Sequence, residues 1–167
     1  MISYLERLRQ ELDDAVGGAS TSDLAVAATG KWSAAQILEH LLLTYQGTNR
    51  GLMKCLEQGT PVVTRASLKH RFGTFMVVNL GHMPKGRKAP ERVVPRGMAP
   101  DEPHRAIAPE LQRMDSQLDE CERRFGKRTK IMDHLILGPL TPAEWRKFHW
   151  VHGRHHARQI RERLGKR

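Results

Sequence analysis

A chain of 167 residues has room for one domain with a real hydrophobic core and none for two. Its apolar stretches are only a few residues long, which excludes a membrane span. The start from Met1 to Leu12 sets Ile2, Leu5, Leu8 and Leu12 among charges as an amphipathic helix does, unlike a signal peptide, so a cytoplasmic protein is the expectation. The net charge of +10 raises nucleic-acid binding, but with nine Phe, Trp and Tyr residues and no RRM, KH or zinc-finger pattern there is no evident platform for stacking bases.

The first helix is expected from Ile2 to Val16, stopped by Gly17 and Gly18, with a small-residue segment leading on to Trp32. The second opens on a capping box: Ser33 is the N-cap, Gln36 reaches back to it, and Trp32 with Ile37 forms a hydrophobic staple. Ile37, Leu38, Leu41, Tyr45, Leu52 and Leu56 make its apolar face, and Gly59-Thr60-Pro61 ends it. His40 falls beside this face, pointing into the core or along its seam. From Arg65 to Leu80 the pattern favours a broken helix, although Phe75 to Val78 also fits a short extended run. Met83 to His104 holds five prolines and several basic residues without apolar periodicity, and reads as a long crossover over the surface.

The third helix is expected over Pro109 to Phe125, with Leu111, Met114, Leu118, Cys121 and Phe125 on one face, Pro109 in its first turn and Gly126 as its stop. In the linker that follows, Ile131, Met132, Leu135 and Ile136 are expected to pack under the end of the helices. The fourth helix opens on Thr141-Pro142-Ala143-Glu144, a second capping box with proline at the first helical position, and runs to about Leu164. At 100° per residue, Trp145, Phe148, His149, His152, His156, Gln159 and Ile160 share a broad face, with Arg154, Arg158 and Arg161 opposite. Four long helices with one long crossover between the second and third predict an all-α, four-helix bundle. Cys55 and Cys121 lack CxxC spacing and read as reduced core residues, with a disulfide between them left open.

The excess charge falls in two places, the loop Lys85, Arg87, Lys88, Arg92, Arg96 and the tail Arg154, Arg158, Arg161, Arg163, Lys166, Arg167. Solvation of the loop and the negative end of the last helix's dipole explain both without a partner.

The histidines carry more chemistry. His152 and His156 are four apart, which puts their Cβ atoms about 5–6 Å apart on one helical face, close enough to share an ion, and His40 offers a third imidazole from another helix. Two imidazoles facing an apolar core would otherwise leave nitrogens unpaired at about 1–3 kcal/mol each. Nine histidines in this length supply about 0.5 HxxxH pairs by chance, and HExxH is absent because residue 153 is Gly. Two readings therefore stand side by side: a metal site with an open coordination position, or hydrogen-bonded core and groove histidines. His149, His155 and Gln159 are candidates to line or support the site. His134 has no evident place, and His70, His82 and His104 read as exposed. Cys55, about 22 Å further along its helix than His40, is too distant to join them.

The segments Trp32-Ser33-Ala34-Ala35-Gln36-Ile37-Leu38-Glu39-His40-Leu41 and Gly138-Pro139-Leu140-Thr141-Pro142-Ala143-Glu144-Trp145, with His152-Gly153-Arg154-His155-His156-Ala157-Arg158-Gln159, resemble the DinB/YfiT-like metalloenzyme superfamily, and within it an uncharacterised bacterial branch. The match covers both ends of the chain and not 65–104. The resemblance implies a four-helix bundle whose metal ligands are His40, His152 and His156. It further implies a metal-dependent enzyme of thiol-transferase or hydrolase type, with a small-molecule substrate, a low-molecular-weight thiol among the candidates, and a homodimer. Imidazole ligands suit zinc, nickel or iron alike. The competing reading is a non-catalytic basic helical protein that binds nucleic acid or an acidic partner through Arg154, Arg158 and Arg161.

Overall fold

The structure, a computed structural model, describes residues 2–83 and 88–166. Lys85, Arg87 and Arg167 of the two basic segments lie outside the described residues.

Among the described residues there are six α-helices: α1 (Tyr4–Val16), α2 (Thr21–Ala25), α3 (Ala34–Gln58), α4 (Leu68–Thr74), α5 (Glu102–Phe125) and α6 (Pro142–Arg163). A π-helical turn, Phe75–Asn79, continues α4, and a 3-10 turn, Glu91–Val93, interrupts the crossover. One antiparallel hairpin, β1 (Met132–His134) with β2 (Gly138–Leu140), pairs Met132 with Leu140 and His134 with Gly138. The protein is thus mostly helical, as the periodicity predicts. No helix among the described residues is long and apolar enough to cross a membrane.

The starts of α3 and α6 lie where their capping boxes predict. Gln36 N–H donates to Ser33 Oγ at 3.2 Å and Ser33 N–H to Gln36 Oε1 at 2.9 Å. Thr141 and Glu144 make the same reciprocal pair at 3.2 and 2.7 Å. Each cap satisfies helix-end donors that would otherwise need water, a contribution of about 1 kcal/mol.

The long helices pack in a cross-linked set. The most extensive pairings are α3 on α5 and α1 on α6, with α1 also against α5 and α6 against α3. Leu5, Leu8 and Leu12 of α1, Leu38, Leu41, Tyr45 and Leu52 of α3, Ile107, Met114 and Leu118 of α5, and Ile160 of α6 form the centre of the core. Gly153 permits the close approach of α6: a Cβ there would lie 2.3 Å from Leu8 Cδ1 and 3.1 Å from the Tyr45 hydroxyl.

Four local expectations differ from the structure. The segment after Gly18 contains the short helix α2, started by a Ser20–Asp23 capping box. α5 begins at Glu102 rather than Pro109, with Pro103 in its first turn and Pro109 inside it. The buried stripe runs through Ile107 and Leu111 on either side of Pro109, so packing outweighs the hydrogen bond that a proline withholds. The linker forms the hairpin. Its tip leaves Leu135 and Ile136 exposed, while Ile131, Leu137 and Leu140 are buried. The crossover is also not a free surface strand, because Val93 is buried against α3.

Cys55 and Cys121 are both buried and free. Burial pushes the Cys121 thiol up to about 12, so it stays protonated and unreactive.

Candidate metal centre

His40 projects from the second turn of α3, and His152 and His156 from consecutive turns of α6. One nitrogen of each lies within 4.8 Å of the other two. The ring centroids are 5.5 Å apart for His40 and His152, 4.9 Å for His40 and His156, and 4.6 Å for His152 and His156. His40 is buried; His152 and His156 are half-buried at the wall of a cavity rather than central in the core.

Supporting contacts determine which nitrogen of each ring is available. The Val93 carbonyl lies 2.8 Å from His40 Nδ1. A carbonyl can only accept, so Nδ1 carries the proton and Nε2 keeps its lone pair. His156 Nδ1 is held the same way, donating to Gln159 Oε1 at 2.7 Å. His156 Nε2 then faces His152 Nε2 at 3.1 Å. Two ring nitrogens at that distance need a proton or a cation between them. Nitrogens bound to one zinc-like ion at about 2.0–2.1 Å sit about 3–3.5 Å apart, so the pair fits a shared ion. His152 Nδ1 is buried with no hydrogen-bond partner among the described residues.

Electrostatics keep the rings neutral and ready to ligate. Burial holds His152 well below the ordinary imidazole range, with His156 and His40 adding to the shift. His156 is pushed down to about 3 by burial and by the neighbouring His40. Burial lowers His40 too, against the opposing pull of its bond to Val93. Neutral imidazole is the form that binds a metal, so little proton displacement stands in the way at neutral pH. The three histidines are a group that could hold a metal ion.

The crossover is brought to His40 by a residue that sequence reasoning passed over. Glu39 is only 2% exposed and accepts three main-chain hydrogen bonds from the crossover: Arg96 N–H at 2.6 Å, Gly97 N–H at 3.1 Å and Met98 N–H at 3.2 Å. This clamp fixes the loop that presents the Val93 carbonyl. The visible signal is a carboxylate inside the run Ile37 to Leu43, which is otherwise apolar apart from His40.

The remaining histidines divide clearly. His149 lies in the core, fully buried between Tyr45 and Trp145, with neither ring nitrogen hydrogen-bonded among the described residues; it does not line the cavity. His155 lines the cavity with its ring 5.2 Å from His156. His134, at the end of β1, packs 4.3 Å from the Phe148 ring and accepts the Ile136 and Leu137 N–H groups at Nδ1, both at 3.2 Å. Burial and the nearby Arg92 push it down to about 4, so it is neutral with its proton on Nε2. His70 and His104 are not the exposed residues expected of them. His70 is half-buried at the cavity, where a Cβ on Gly138 would lie 2.4 Å from its ring, and His104 pairs with Asp13 at 3.0 Å.

A mostly helical chain with three convergent, neutral histidines on a cavity wall defines a helical protein with a candidate metal centre. The chain belongs to the DUF1569 family of proteins of unknown function, whose family model matches residues 6–163. It matches no curated protein and no solved structure.

Proposed function

We propose that this protein is a metal-dependent enzyme of the DinB/YfiT-like type, in which α1, α3, α5 and α6 form a four-helix bundle with the long crossover between α3 and α5. His40, His152 and His156 are the ligands of a divalent zinc, nickel or iron ion. The observation that carries this reading is the convergence of three imidazole nitrogens, two of them on rings whose other nitrogen already donates to Val93 or Gln159. Such outer contacts orient metal-binding histidines and raise their basicity.

A divalent ion held by His40, His152 and His156 would act as a Lewis acid, the chemistry that activates a water or a thiol for hydrolysis or thiol transfer. The protein's own groups supply the rest. The cavity of about 1190 Å³ beside the histidines has room for a small substrate, Phe148 and Trp32 form part of its lining, and His134, whose Nδ1 accepts two main-chain N–H groups, lines it with its proton on Nε2.

Binding of nucleic acid through Arg154, Arg158 and Arg161 draws less support. Arg161 is already paired with Glu11 at 2.7 Å, and Arg154 lies over the Trp150 ring.

The test is metal content by mass spectrometry on tag-free protein, wild type against the His152→Ala, His156→Ala double variant, with helicity followed by circular dichroism. Near-stoichiometric metal in the wild type, lost in a variant of unchanged helicity, is the expected result. A wild type that takes up none of added zinc, nickel or iron overturns the reading.

A further inference from the structure

The cavity has an unbalanced charge. Lys31, Lys69, Lys88, Arg92 and Arg163 line it, and among the described residues no aspartate or glutamate does. Some cations elsewhere are closely partnered: Arg146 is surrounded by Asp115, Asp119 and Glu122 at 2.6–2.7 Å. The second cavity, of about 600 Å³, is lined by Glu6, Asp115 and Asp119 around Arg9. Lys69, Lys88 and Arg92 are exposed at the rim of the large cavity, and none makes an ion pair among the described residues. Beside the histidines, the rest of the wall is largely apolar, with Ile37, Val77, Leu137 and Phe148 buried and Phe72 and Leu135 exposed.

A cleft lined by one sign of charge over low-dielectric walls concentrates ligands of the opposite sign. Apolar walls with a few placed polar groups bind the body of a small molecule.

We propose that the cavity takes an organic anion with an apolar body, its acidic group at the Lys69, Lys88 and Arg92 rim and its apolar part against Phe72, Leu137 and Phe148. This names the substrate class of the site described above and rests on reading that cavity as a substrate site. His134 contributes an Nε2–H donor and no negative charge, which suits the same ligand.

The test compares three ligands of one chain length, decanoate, decanol and decylammonium, by calorimetric titration into the full-length protein at low salt. The protein is used as purified and again after chelation, so that anion capture by an ion is separated from anion capture by the rim. Decanoate is expected to bind at least about tenfold more tightly than decylammonium in both forms, with decanol between them. The Lys69→Gln, Lys88→Gln, Arg92→Gln variant should lose that preference and keep its affinity for decanol. The preference should also shrink in about 0.5 M salt, a measurement that needs no variant. Absence of decanoate binding, equal binding of all three ligands, or a preference that survives the variant or the salt overturns the proposal. Metal content is read separately, so failure of the metal site and failure of the anion site give different results.

Discussion

Glu39 and His40, neighbours on α3, hold the crossover at two points: the carboxylate takes the N–H groups of residues 96–98, and the imidazole donates to the Val93 carbonyl at 2.8 Å. The adjacent pair therefore ties the structure of the loop to the orientation of a candidate ligand. Glu39→Ala would leave three main-chain donors without their acceptor, at about 1–3 kcal/mol for each that water does not reach. The expected outcome is a loss of about 2–4 kcal/mol in urea unfolding together with weaker zinc binding. Unchanged zinc affinity in a destabilised variant would show that the clamp serves the fold alone.

Gln159 offers a cleaner separation of site from stability. It is half-buried, and the hydrogen bond to His156 Nδ1 is its distinctive contact. Gln159→Leu should lower metal affinity about 10- to 100-fold, measured by competition with a chromophoric chelator, and change the unfolding free energy by less than about 1 kcal/mol.

Gly153 sits between the two α6 histidines, and its lack of a side chain lets Leu8 and Tyr45 reach the helix. Gly153→Ala gains intrinsic helix propensity of about 1 kcal/mol, which would stabilise an exposed helix. Here the overlap with Leu8 Cδ1 should reverse the sign, giving a net loss of about 1–3 kcal/mol. A raised midpoint in urea would contradict the tight packing of α1 on α6.

His149 predicts the acid response. Burial, then the nearby His134, hold it down to about 3 in the folded protein, against an ordinary value of 6.5. The unfolded chain thus binds a proton between these values and the folded chain does not, so stability falls as pH drops from about 6.5 toward 3 and levels off below. The slope approaches about 1.4 kcal/mol per pH unit for one such group. His149→Phe should flatten it, measured as the urea midpoint between pH 7 and pH 4. An unchanged slope would place the acid sensitivity in the other buried histidines.

The ends of the chain were the legible parts. Ser33-Ala34-Ala35-Gln36 and Thr141-Pro142-Ala143-Glu144 set two helix starts by contacts three residues apart, and the four-residue spacing of His152 and His156 put them on one face, because these are consequences of helix geometry within a single element. The apolar periods of α1, α3 and α5 likewise marked what would be buried. The sequence could not show that α5 runs through Pro109, that His149 faces the core while His134 and His70 reach the cavity, or that residues 89–98 serve the site. Those outcomes depend on which surfaces meet across separations of fifty residues or more, as His40 meets Val93 and Glu39 meets Arg96. Local periodicity determines the faces that a helix offers. Only the packing of α3, α6 and the crossover together decides which neutral histidines converge, and which cations are left around them without a carboxylate.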